Sequence, residues 1–88
     1  MNAYECRLTE AGIELVRTLT GFSIEESYIG RVFGANEAMA RQDAATSIAV
    51  MVREALTEQR LPDVRLRTAL MDPAYISCLL PGNQADVG

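Results

Sequence analysis

Phe22–Gly34 reads FSIEESYIGRVFG, and the fold turns on how this stretch is read. Ser23 with Glu26 three residues on is a capping box, in which hydroxyl and carboxylate satisfy the free N–H groups of a helix start. Phe22, just before the cap, is placed for a hydrophobic staple. Ile24, Tyr28, Ile29, Val32 and Phe33 follow, and Gly34 closes the run. The segment is therefore expected to be a short helix, apolar over much of its surface and central to the fold.

Downstream, Asn36 is placed to cap a third helix running from Glu37 to about Arg60 with no Gly or Pro, stopped by Pro62. Such a helix would span roughly 36 Å, long for a small domain. Ala44, Ala45, Ile48, Met51, Val52, Ala55 and Leu56 form one broad stripe along it, with Val50 on the far side. Ile48, Met51, Val52 and Leu56 are expected in the core or in a dimer interface. Beyond Pro62 two patterns compete. Val64, Leu66 and Thr68 alternate with Arg65 and Arg67, which suits a strand; Asp63 after Pro62, with Leu66, Leu70 and Met71, suits a helix. Helix is favoured. Asp72-Pro73 is an N-cap followed by Pro at the first helical position, which predicts a last helix over Ala74–Leu80. Pro81-Gly82 breaks it, and residues 82–88 read as a flexible C-terminal tail.

Upstream, Tyr4, Cys6 and Leu8 alternate with Glu5 and Arg7, the period of a half-buried strand. A lone strand needs a partner, either a second chain or a later segment. Thr9 caps an amphipathic helix that carries Ala11, Leu15, Val16 and Leu19 on one face and ends at Gly21. The expected architecture is all-α (mainly α): a single helical domain over residues 1–81, with four to five helices, one of them long and central, and room for a short N-terminal strand.

The 88 residues suffice for one domain with a small core, so self-association is a realistic source of further burial. Twelve acids against eight bases give a net charge of −4, and every base is Arg. An all-Arg, Ala-rich chain suggests a bacterial or phage source with GC-rich DNA. The acidic balance gives no general attraction to nucleic acid or anionic membrane. No apolar run approaches the roughly 20 residues that span a bilayer. The N-terminal MNAYECRLTE lacks the apolar segment of a signal peptide. A cytoplasmic protein without a membrane partner is expected; Cys6 and Cys78 could form one disulfide, but without export buried free thiols are the expected state.

The sequence lacks His and Lys, which removes imidazole acid–base catalysis, His metal sites, Schiff-base chemistry and Ser-Lys dyads. Gly30 and Gly34 do not make a phosphate-cradling loop. Glu25-Glu26 is the only adjacent acidic pair, and as helix N-terminal charge it complements the helix dipole. No catalytic, cofactor-binding or metal-binding residue is expected, and the chain is read as a non-enzyme.

Two segments resemble DNA-binding families. YECRLTEAGIELVRTL, through Tyr4, Leu8, Thr9, Gly12 and Leu15, resembles the wing strand and following helix of winged-helix regulators. That resemblance implies that Thr9 caps the helix and Gly12 permits close packing; in that family the recognition helix comes earlier, and on this reading it would be missing. YIGRVFGANEAMARQDA resembles a helix-turn-helix core. It implies Gly30 in the first helix, Gly34 at the turn, Asn36 capping the recognition helix, and Arg41 as the single base on the reading face.

Arg53, Arg60, Arg65 and Arg67 form the densest group of bases and are the candidate partner-binding surface. The bland reading of the same residues is a solvated face with helical ion pairs. The expected function is a small regulatory or interaction protein that binds a partner protein, of adaptor, antiactivator or inhibitor type, and forms a homodimer. The alternative is a helix-turn-helix-like DNA-binding transcriptional regulator, with nucleic acid as the partner.

Overall fold

The alternating N-terminal segment becomes strand β1 (Asn2–Leu8), which buries Tyr4, Cys6 and Leu8 on one face. It is the middle strand of a sheet, not a lone one. In the computed structural model, which describes residues 1–80, β1 pairs antiparallel with β2 (Tyr28–Gly34) on one side and β3 (Ile76–Leu79) on the other. The chain therefore satisfies its own N-terminal strand, and no second copy is needed to do so.

Between the strands, Thr9 caps helix α1 (Glu10–Thr20), its hydroxyl oxygen accepting from the Gly12 N–H at 3.0 Å. Gly21 ends it in the left-handed region, with φ 79°, and its N–H donates to Arg17 O at 2.8 Å. A side chain at Gly12 would collide with the backbone carbonyl of Tyr75, so the bare glycine lets α1 lie against the turn that leads into β3.

The all-α expectation is overturned: among the described residues three strands stand beside four helices in an α+β fold. The first error is at Phe22–Gly34. Residues 22–27 are irregular and Ser23 forms no helix cap, while Tyr28–Gly34 is a strand. Two glycines would weaken a helix here, whereas Tyr28, Ile29, Val32 and Phe33 suit a pleated, half-buried surface. A register shift opposite Cys6 and Arg7 absorbs one extra residue, next to Gly30 at φ 142°.

The long central helix is also corrected. Asn36 caps α2 (Glu37–Met51), its side chain accepting from the Met39 N–H at 2.9 Å. The helix then breaks at Val52, which leaves helical geometry at φ −104°, ψ 23°, and α3 (Arg53–Gln59) follows as a separate short helix. The bend lets Val52 and Leu56 stay in one core rather than project beyond it. Ala40, Ala44, Ala45, Ile48 and Ala49 form the buried face of α2, which packs across the sheet. Their small side chains allow that close approach. The competing helical pattern prevails after Pro62, as α4 (Asp63–Ala69).

The expected last helix over Ala74–Leu80 is instead a turn and β3. Asp72 accepts from the Ala74 N–H through its side chain at 2.8 Å and from the Tyr75 N–H through its carbonyl at 2.9 Å. Ile76 and Cys78 then alternate with Ser77 and Leu79 across the pleat. Pairing with the open side of β1 outweighs the local cap signal. The sheet order is β2-β1-β3, with α2 on its inner face. The expected tail at 82–88 and the break at Pro81-Gly82 lie outside the described residues.

Candidate functional site

The bend between α2 and α3 creates the surface of most interest. Val50 and Met51 end α2 at 56% and 51% exposure, next to Val52 at 1%. Phe22, 41% exposed in the segment after α1, lies along the same groove as Val50, Met51 and Ala55. That groove encloses about 580 Å³ and carries Arg53, Glu54 and Glu58 on its rim. A second groove of about 510 Å³ shares Val50 and Arg53 with the first, and includes Leu61, Pro62, Arg60 and Asp63. The two grooves thus adjoin at Val50 and Arg53, and their linings mix apolar and charged side chains.

Arg60 holds a special backbone position. It is the only non-glycine residue with positive φ among the described residues, at φ 53°, ψ 39°. The end of α3 is a Schellman motif: Leu61 N–H donates to Leu56 O at 3.0 Å, and Arg60 N–H to Thr57 O at 3.1 Å. Glycine usually occupies this left-handed position, because a Cβ there crowds the backbone. Here an exposed arginine occupies it and lines the groove.

The four arginines expected to form one surface are divided. Arg53 and Arg60 share a groove and make no ion pair among the described residues. Arg67 lies elsewhere, with Gln42, Thr68 and Met71, and its Nε is 3.5 Å from Asp63. That separation is too long for a good hydrogen bond, and Nε is buried without a partner. Arg65 is exposed on α4 and lines none of these grooves. The four proposed interface residues divide as well. Ile48, Val52 and Leu56 belong to the chain's own core, and only Met51 is free to meet another molecule.

Arg41, the residue that the helix-turn-helix resemblance would place toward DNA, is buried at 5% exposure. Its Nε donates to the Ile76 carbonyl at 2.9 Å and its Nη2 meets Glu37 at 2.6 Å. It ties α2 to the edge of the sheet. The first helix of that motif is β2, so the segment has no helix-turn-helix geometry. Sequence reasoning could not assign Arg41 this role, because its acceptor is a backbone carbonyl 35 positions away.

The outer face of the sheet carries a polar set that satisfies itself. Tyr28 Oη donates to Glu5 at 2.7 Å, Arg31 lies 3.5 Å from Glu5, and the Arg7 guanidinium sits 5.5 Å from the centre of the Tyr28 ring. The hydrogen bond to Glu5 holds the Tyr28 hydroxyl above the ordinary phenol range, so it stays protonated. This is the arrangement of a braced surface rather than a poised base. Among the described residues no helix is long and apolar enough to cross a membrane.

The chain matches no protein-family model, no curated protein and no solved structure. Any functional reading therefore comes from its own surface.

Proposed function

We propose that this chain is a small non-enzymatic interaction protein that works by occupancy, binding a partner protein at the bend between α2 and α3. The observation that carries the reading is the exposure of Phe22, Val50 and Met51 along one groove. A folded chain with a limited core gains by burying such side chains, and when they stand exposed together they mark a contact surface. Arg53 and Arg60 stand beside Glu54, Glu58 and Asp63, which suits a partner segment that brings charges of both signs beside apolar groups. An adaptor, antiactivator or inhibitor needs no more chemistry than this. A homodimer is the version in which a second copy covers the same apolar surface.

The test is site-specific photo-crosslinking in cells of the source organism. A photoreactive residue at Met51 is compared with one at Glu14, on the exposed side of α1. Protein adducts at position 51, absent at position 14 and abolished by Val50→Asp, support the reading. Equal labelling at the two positions would exclude the bend as the docking surface. The adduct mass separates a second copy of this chain from a different protein.

A further inference from the structure

The two cysteines are the only thiols in the chain, and the sheet places them opposite each other in register, Cys6 on β1 and Cys78 on β3. Antiparallel pairs alternate between positions that exchange hydrogen bonds and positions that do not. Thr9 N–H donates to Tyr75 O at 3.0 Å, which makes the 9/75 position a hydrogen-bonded one. Counting back, 8/76 is non-bonded, 7/77 bonded and 6/78 non-bonded. The neighbouring groups agree. Leu8 N–H points away from β3, to Ser27 O at 2.7 Å, and Ile76 O points away from β1, to Arg41 Nε.

Side chains are closest at non-bonded positions, where Cα atoms lie about 4.5 Å apart, within the span that a disulfide bridges. The two sulfurs lie 2.8 Å from each other, and both side chains face the core. The register places them at a position that a disulfide can span. We propose that Cys6 and Cys78 form a redox-active dithiol that closes to an intrachain disulfide, a covalent staple between the first strand and the last.

The oxidant class is a small disulfide such as glutathione disulfide. The Cys78 thiolate attacks one glutathione sulfur and releases one glutathione as thiol. Cys6, as thiolate, then attacks the Cys78 sulfur of the mixed disulfide and releases the second. One S–S bond breaks and one forms overall; the chain loses two hydrogens and two glutathione thiols gain them. The topology sets the order. β3 is a four-residue edge strand whose Leu79 is 60% exposed, so its opening presents Cys78 to solvent. Cys6 sits on the middle strand, held from both sides. Burial and the neighbouring sulfur push its thiol up to about 12, which disfavours Cys6 as the first thiolate to attack.

The experiment equilibrates the full chain in glutathione buffers of graded ratio, once folded and once in urea. Equilibrium is approached from both the reduced and the oxidised side, with a brief urea pulse so that burial cannot prevent exchange. Acid quenching, thiol tagging and intact mass then give the fraction oxidised, and peptide mapping locates the bond. The folded chain is expected to be half oxidised at a ratio about 100-fold more reducing than the unfolded chain, because a staple that fits the fold is favoured by folding. A Cys6→Ser variant should take up one glutathione at Cys78 in native buffer faster than a Cys78→Ser variant takes one up at Cys6. Equal midpoints for folded and unfolded chain, or dominant mixed or interchain disulfides, would overturn the dithiol. A faster reaction at Cys6 would overturn the order of attack.

Discussion

Arg60 gives a prediction in which stability and binding move in opposite directions. Its left-handed backbone costs a non-glycine residue roughly 1–2 kcal/mol. Replacing it by Gly removes that cost but loosens the unfolded chain, an offset of about 0.4–1 kcal/mol. The Arg60 side chain is exposed and makes no ion pair among the described residues, so little else is lost. Arg60→Gly should therefore stabilise the fold by about 0.5–1 kcal/mol. For a domain of this size that is a Tm rise of about 2–8 °C. Arg60→Ala keeps the strained backbone and loses the charge, so its Tm should stay within about 2 °C of the parent. Both variants remove a cation from the groove rim, and both should weaken adduct formation at position 51 in the crosslinking assay. Thermal unfolding followed by circular dichroism, with urea titration as a second measure, supplies the stability arm. A lower Tm for Arg60→Gly, or equal gains for Gly and Ala, would refute the assignment of strain to this residue. A stabilised Arg60→Gly variant with full adduct formation would remove Arg60 from the docking surface and leave the strain argument intact.

Four further outcomes follow from the core. Gly12→Ala, which at an open helix position would add about 1 kcal/mol of stability, should instead lower it by about 1–3 kcal/mol in urea titration, because the new methyl meets the Tyr75 carbonyl. Arg41→Ala leaves the Ile76 carbonyl without its donor and opens a void, so a loss of about 2–4 kcal/mol is expected, with faster amide exchange in β3 as the accompanying sign. Val52→Asp buries an unpaired carboxylate and should cost about 3–5 kcal/mol, enough to abolish folding; a soluble variant of unchanged helicity would contradict the placement of Val52. The alkaline limb of stability should depend on Cys6. Its thiol rises from 9.0 to about 12 in the folded state, so folding favours the protonated form. That contribution is complete below about pH 9 and falls as pH rises toward 12, by at most about 1.4 kcal/mol per pH unit. Cys6→Ala should flatten this limb, and an unchanged slope between pH 9 and 10.5 would refute the cause given.

The features legible in the sequence are those whose physics closes within a few residues. Thr9 and Asn36 cap because their oxygens reach N–H groups three positions on. Gly21 ends α1 because it alone there adopts a left-handed turn without strain. The alternation of Tyr4, Cys6 and Leu8 marks β1 because successive side chains in a strand face opposite ways. The 63–69 helix, favoured over a competing strand period, belongs to the same class.

What the tertiary structure decided depends on partners far along the chain. Ser23 and Glu26 make a valid capping signal, yet Tyr28–Gly34 gains more as a strand once β1 lies beside it, and β1 is more than twenty residues away. Ile76–Leu79 is too short to announce itself, and it becomes a strand because the other edge of β1 needs hydrogen bonds. The bend at Val52 carries no glycine or proline; it follows from packing both helical segments on one core. Arg41 changes from an expected surface base to a buried tie because a carbonyl of β3 arrives within reach. The separation of Arg53 and Arg60 from Arg67, and the meeting of Cys6 with Cys78, likewise follow from how elements stack and register. Local caps and periods are properties of a short stretch of chain, whereas strand pairing, burial and shared grooves exist only after distant stretches have met.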